Sequence, residues 1–404
     1  MTELSTKTDW TAIGEAGLAE VVELRRAIHA DPEIGLQCPR TTQKLKKALE
    51  GLPLEIHEGT STTGFMAVLR GGSDNGRTVL LRGDMDALPM QEETGLDYAS
   101  KVDGAMHACG HDAHSAMLVG AAKALCAKRD ELPGTVVFMF QPGEEGHHGA
   151  RFMIEDGLLE KTAPDAGFAL HIYPNAPRGM FVSRPGPLLA SADTLNATIR
   201  GKGGHGAMPH DCIDPIPVAC EIVTALQTWV ARRVPVSDPA VLTISKIAAG
   251  STHNVIPSSC ELLGTLRTLS EETRAKVQQA FKDIVHHVAA AHGCEGEATI
   301  EVGYPVTMND ERATGMMEEI ARDIGGEQGW MKMPAPIMGA EDFSYVLREL
   351  PGAMAFLGVA PEGSDPESNP PLHNTKMTID EDMLSRGVAM HCAIAERYLE
   401  RGFD

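Results

Sequence analysis

Apolar residues return every three or four positions through "GLAEVVELRRAIHADPE", residues 17–33, with charged residues between them, and that spacing predicts an amphipathic helix. "HSAMLVGAAKALCA", residues 114–127, predicts a second helix built from small residues. The texture between them differs. "TGFMAVLRG" and "RTVLLRGDMDALP" are short apolar runs on either side of the turn-rich "GGSDNG", which predicts two strands joined as a hairpin. "GTVVFMF" and "AGFALHI" are apolar without alternation, as expected of strands covered on both faces. Strands interleaved with helices predict a layered α/β core.

From about residue 184 the pattern changes. "DTLNATIRG" alternates as a strand, a helix follows in "DPIPVACEIVTALQTWV", strands in "AVLTISKIAAG" and "CELLGTLRTL", and a long helix from Ser270 to about His292. That order is self-contained and predicts a small α+β domain of ferredoxin-like type, inserted over residues 184–297. The α/β pattern then resumes with "EATIEVGY", a helix after Asn309, "EDFSYVLREL", "GAMAFLGV" and a terminal helix near 379–401. The main domain is therefore expected to be discontinuous, residues 1–183 plus 298–404.

Length agrees with two domains, since 404 residues exceed what one core usually supports. A formal charge of -21 repels nucleic acid and anionic membranes. The start "MTELSTKTDW" lacks a basic region leading into an apolar stretch, and no run approaches the roughly 18 apolar residues of a membrane span. A cytoplasmic protein is expected, with no membrane and no nucleic acid as partner. Eight cysteines without a CxxC pair read as scattered thiols rather than a disulfide framework.

Against that background "HACGHDAH", residues 107–114, is dense: three histidines, a cysteine and an aspartate in eight positions. Asp84 and Asp86 follow one predicted strand, Glu144 and Glu145 another, and His171 closes a third. In open α/β sheets ligands sit beyond the carboxyl ends of the strands, so these segments are expected to converge on one cleft. Neighbouring carboxylates in a loop repel each other unless something positive holds them. One of the pair could bind a metal ion while the other handles protons, a division of labour that suits hydrolysis; as a solvated surface pair they would mean little.

In order, "RGDMDALPM", "GAMHACGHDAHSAMLVGAA", "QPGEEGHHGA", "GKGGHGAMPH", "AAGSTHNVIPSSCELLGTLR", "GAEDFSYV" and "LHNTKMTID" resemble the metallo-aminohydrolase family of hippurate hydrolases, indole-3-acetyl amino acid conjugate hydrolases and N-acetyl-diaminopimelate deacetylases. That group is related to aminoacylase and the dizinc carboxypeptidases, and the likeness spans about residues 15–400. It implies a dizinc-peptidase-like α/β catalytic domain with a central mixed sheet flanked by helices, interrupted by a lid domain that also dimerises. Cys109, His111, Glu145, His171 and His373 match the ligands of two divalent ions, Glu144 the general acid/base, and Asp86 an acidic residue supporting the metals from behind. His205 matches a residue that polarises the scissile carbonyl, often across the dimer; Asn254, Arg267 and Gly339 fall where substrate is held. One departure is "QPGEE", where many relatives have alanine before the glutamates.

The implied reaction is hydrolysis of N-acyl amino acids, small molecules, to a carboxylic acid and a free amino acid by a homodimer. Zinc, manganese, cobalt and nickel all suit a thiolate, imidazole and carboxylate set. A metallo-dipeptidase or carboxypeptidase, and a catalytically silent metal-binding scaffold, are the competing readings. His107 and His114 lie outside the matched ligands and read as structural, and Arg267 reads equally well as an intradomain ion pair. "GKGGHG" fits the dinucleotide fingerprint GxGxxG, but Pro209, Pro215 and Pro217 delay the helix that should follow at once. With no GxSxG and no GxxxxGK[ST], serine-hydrolase and P-loop chemistries have no anchor.

Overall fold

The computed structural model describes residues 8–404; the first seven residues, on which much of the leader argument rests, lie outside the described part. The chain divides into two compact units. Among the described residues, one comprises 8–188, 308–335 and 345–404, the other 189–307 and 336–344.

The first unit is built on an eight-stranded mixed sheet. Its strands are β1 (Leu54–Glu58), β2 (Phe65–Arg70), β3 (Ser73–Asp84), β4 (Pro133–Gln141), β5 (Ala166–Tyr173) and β6 (Phe181–Ser183), with Trp330–Lys332 and Gly352–Gly358 from the later part of the chain. They run in the order β1, β2, β4, β3, β5, Gly352–Gly358, β6, Trp330–Lys332. The helices α1 (Trp10–His29), α2 (Pro39–Ala48), α3 (His111–Ala127) and the terminal Leu384–Arg401 pack apolar stripes into the same core as the sheet. Phe138, Phe140, Leu81 and Phe168 from the strands meet Ala116, Ala121, Val388 and Ala395 from the helices there.

The predicted hairpin does not form. β4 lies between β2 and β3, antiparallel to the first and parallel to the second. Nearly all of β4 is buried, so its backbone groups need partners on both edges, which the central slot supplies. The glycines of "GGSDNG" serve that path rather than a two-residue turn: a Cβ on Gly71 would fall 2.2 Å from the Leu132 carbonyl oxygen, and one on Gly72 2.4 Å from that of Asp130.

The second unit has strands Asp193–Arg200, Ala240–Ala249, Ser259–Thr268 and Glu295–Val302 and helices Pro215–Arg233 and Glu271–Ala291. Asp214 and Ser270 cap the two helices by accepting from backbone amides of the first turn. Glu295–Val302, expected to resume the main domain, instead pairs antiparallel with Asp193–Arg200 as an edge strand of this sheet. Its alternation leaves one face against the core and the other in solvent, unlike the fully covered strands of the main sheet. The sixth element completes a β-α-β-β-α-β unit. Among the described residues no helix is long and apolar enough to cross a membrane.

Candidate metal centre

β4, β3 and β5 are parallel neighbours, so the segments leaving their carboxyl ends share one rim of the sheet. β3 ends at Asp84 and leads to Asp86; Glu144 and Glu145 lie just past β4; His171 is within β5. α3 starts at the same rim with His111 as its first residue, after Gly110 at φ 87°. A Cβ on Gly110 would sit 2.4 Å from Ile172 Cγ1, so only glycine lets the chain turn here and present Cys109 and His111 to one point. His373 arrives from the late loop with φ 64°, its N–H donating to the Ala108 carbonyl at 2.8 Å.

The adjacent glutamates are held through their backbone. Asp86 accepts the Glu144 N–H at 2.9 Å and the Glu145 N–H at 3.1 Å, which fixes the loop through its backbone.

Several groups of donor atoms come together, and two of them share Cys109: Cys109, His111 and His171 in one triad, Cys109, Glu145 and His373 in the other; Glu144 also stands close enough to His111 and Glu145 to form a third. Cys109 belongs to both. Its Sγ lies 3.3 Å from His171 Nε2, and Glu145 Oε1 lies 3.3 Å from His373 Nε2. Glu144 is in neither triad that contains Cys109; its Oε2 is 3.9 Å from His111 Nε2, as is Glu145 Oε1. His171 donates from Nδ1 to the Ile172 carbonyl at 2.6 Å, so its Nε2 is the nitrogen with a free lone pair.

These residues fit a metal better than they fit one another. Both ring nitrogens of His111 and Oε1 of Glu145 are buried with no hydrogen bond of good geometry, with longer contacts to Asp86 at 3.4 Å, Asp84 at 3.6 Å and His373 at 3.3 Å, which is costly unless a cation completes them. Burial pushes the Cys109 thiol well above its usual range and the His171 imidazolium well below its own. Burial also opposes charge on His111, but the carboxylates of Asp84 and Asp86 outweigh it and raise His111 well above an ordinary histidine. A cluster this anionic takes a cation, and without metal a proton on His111 is the one at hand.

Asp84 and His114 were not among the matched site residues, yet they brace the centre. His114 donates from Nδ1 to Asp84 Oδ1 at 2.6 Å and accepts the Ile172 N–H on Nε2 at 2.8 Å. His114 thus holds the residue whose carbonyl orients His171. Asp84 is also paired with the fully buried Arg82. "RGD" before the strand end was the visible signal for it; the partnership with His114 depends on the fold.

His205, Asn254, Arg267 and Gly339 lie in the second unit. His205 pairs in register with Val255 on a two-stranded ladder, and the Gly206 N–H donates to the Asn254 carbonyl at 2.8 Å, so His205 and Asn254 are brought together. His205 is exposed and accepts the Ala207 N–H on Nδ1 at 3.0 Å, which leaves Nε2 as the protonated, donating nitrogen. Arg267 is half-buried in Ser259–Thr268 with no carboxylate at ion-pair distance among the described residues, and burial lowers its pKa. The carbonyl of Gly339 accepts the Ala190 N–H at 2.8 Å. "GKGGHG" runs into a short turn of helix at Pro209–Asp211, and the long helix waits until Pro215, unlike a dinucleotide loop.

A sequence profile described as peptidase family M20/M25/M40 matches residues 80–397. The chain is similar to the IAA-amino acid hydrolase ILR1-like 2 of Arabidopsis thaliana, 38% identical over 94% of this chain and 85% of the relative. It is similar to thermostable carboxypeptidase 1 of Saccharolobus solfataricus, 37% identical over 94% of this chain and 95% of the relative. A solved Bacillus subtilis structure, described as a dinuclear metal binding peptidase, superposes with a TM-score of 0.82 at 34% identity, covering 96% of this chain and 99% of the other.

Proposed function

Since the chain belongs to peptidase family M20/M25/M40, whose members are metal-dependent amidohydrolases and peptidases, we propose that it hydrolyses the amide bond of N-acyl amino acids. The observation that carries this is the pair of donor triads sharing Cys109, with Glu144 beside both and a member of neither. Cys109, His111, His171, Glu145 and His373 would hold two divalent ions, zinc, manganese, cobalt or nickel. Bound there, the ions supply Lewis acidity to the scissile carbonyl and to the attacking water. Glu144 takes the water's proton and returns it to the leaving nitrogen, its backbone fixed by Asp86. His205 donates from Nε2 to the carbonyl oxygen. The unpaired, half-buried Arg267 takes the α-carboxylate with Asn254, a match of planar guanidinium to planar carboxylate.

The name of the Saccharolobus relative favours a second reading, a carboxypeptidase or dipeptidase on the same scaffold. The two differ in whether the acyl side carries a free α-amine. Protein stripped of metal and reloaded separately with each ion is expected to release free amino acid from N-benzoyl, N-acetyl and indolyl-acyl amino acids and to leave unblocked dipeptides nearly intact. Cleavage confined to the dipeptides would transfer the assignment to the second reading.

We propose further that the second unit acts as lid and dimerisation domain, with His205 serving the partner's metals. Mixing His205→Ala with Glu144→Gln protein is then expected to restore part of the activity that each lacks alone. No restoration after verified subunit exchange would place each site within one chain.

A further inference from the structure

Beneath α3 lies a second set of buried charged groups that the chemistry above does not use. Arg25 and His29 lie one helical turn apart on α1 and face Asp112, the residue after His111. Arg25 Nε lies 2.6 Å from Asp112 Oδ2 and its Nη1 3.1 Å from Glu381 Oε1. His29 Nδ1 lies 2.8 Å from Asp112 Oδ2, and its Nε2 lies 3.2 Å from Glu92 Oε1. Each ring nitrogen faces a carboxylate, and Nδ1 also lies 3.2 Å from Arg25 Nη2, so the ring is held from both ends within the set. Tyr98 closes the set, edge-on to His29 and beneath Arg25 and Arg26.

Glu92 belongs to the loop between β3 and α3. It organises that loop by accepting the Ser100 N–H at 2.7 Å and the hydroxyl of Thr94. The next residue, Glu93, reaches the loop of His373: its N–H donates to the Thr375 carbonyl at 2.8 Å, and its carboxylate accepts the Thr375 hydroxyl at 2.7 Å. Met106 and Ala108 pack with Met377 in a small apolar cluster at the same seam. His373 needs such support. Its side chain is 54% exposed, against 12% for Glu145 and 0% for His111, and its backbone is held at a positive φ that costs a non-glycine residue about 1 kcal/mol or more.

We propose that His29 is a positioning residue for His373: clamped between Asp112 and Glu92, it fixes the loop whose Glu93 holds Thr375, and so keeps the Cys109, Glu145 and His373 triad assembled. The proposal rests on the two-ion reading of the centre. Its consequence is expected to fall first on His373, which reaches the centre through the Glu93–Thr375 and Ala108 contacts, whereas His111 is carried by α3 and His171 by β5, and Cys109 is common to both triads.

Manganese and zinc titrations of metal-free protein, followed by metal analysis after gel filtration, would test it in wild type, His29→Gln and Thr375→Val. Thr375→Val removes the side-chain half of the strut without touching the buried charges, so it remains informative if His29→Gln folds poorly. Both variants are expected to bind one ion within about 2-fold of wild type and the second at least about 10-fold more weakly, in line with the loss of a supporting contact. In the double variant the effect is not expected to add. Equal weakening of both ions, or no weakening of either, would overturn the positioning role. A wild type that binds fewer than two ions would overturn the two-ion reading and the proposal with it, so the two failures are distinguishable.

Discussion

Glu144→Gln is expected to bind two metal ions as wild type does and to lose at least about 100-fold in turnover, roughly 2.7 kcal/mol of barrier, the usual scale of a positioned general base. The substitution keeps the volume of the side chain and its backbone bond to Asp86, and removes only the ability to take a proton. Because Glu144 is not in either triad that contains Cys109, its loss should appear in kcat with metal content unchanged. This separates an enzyme from a silent scaffold, which has no use for a base beside its ligands. Unchanged turnover in a variant that retains both ions would remove Glu144 from the mechanism.

Two carboxylates in a glycine-flanked loop suggested the separation of roles proposed for Glu144 and Glu145, but the reason they coexist was not legible. The clamp from Asp86 is a contact across 58 residues that forms only once β3 and β4 lie side by side. Local periodicity did carry the helices and the fully apolar strands, since each is decided by neighbours a few residues away. It failed for the β2–β3 connection, where chain proximity suggested a hairpin and the burial demand of β4 decided otherwise. It failed again at Glu295–Val302, where a strand reads alike in either sheet and only the pairing with Asp193–Arg200 assigns it. The candidate ligand types could be read from "HACGHDAH"; the bracing of His171 by Asp84 and His114, and the proposed bracing of His373 by way of His29, could not, because each links residues dozens to hundreds of positions apart.

Cys109 carries the other large effect. It stands in both triads, so Cys109→Ala is expected to lower binding from two ions to less than one under conditions that saturate wild type, and to abolish hydrolysis. His373→Ala touches one triad and is expected to retain about one ion. Metal analysis of the two variants side by side decides whether the thiolate is shared: a Cys109→Ala protein that still holds one ion tightly would assign the thiol to a single site. The same centre sets the pH dependence. Burial raises the thiol of Cys109, and the Asp84 and Asp86 carboxylates raise His111 against burial, so protons on both compete with metal. Metal competes with those protons, and its affinity should therefore fall as pH falls, with protons released on binding at neutral pH. In Cys109→Ala that release should shrink, since one of the protons displaced in wild type is no longer there to leave.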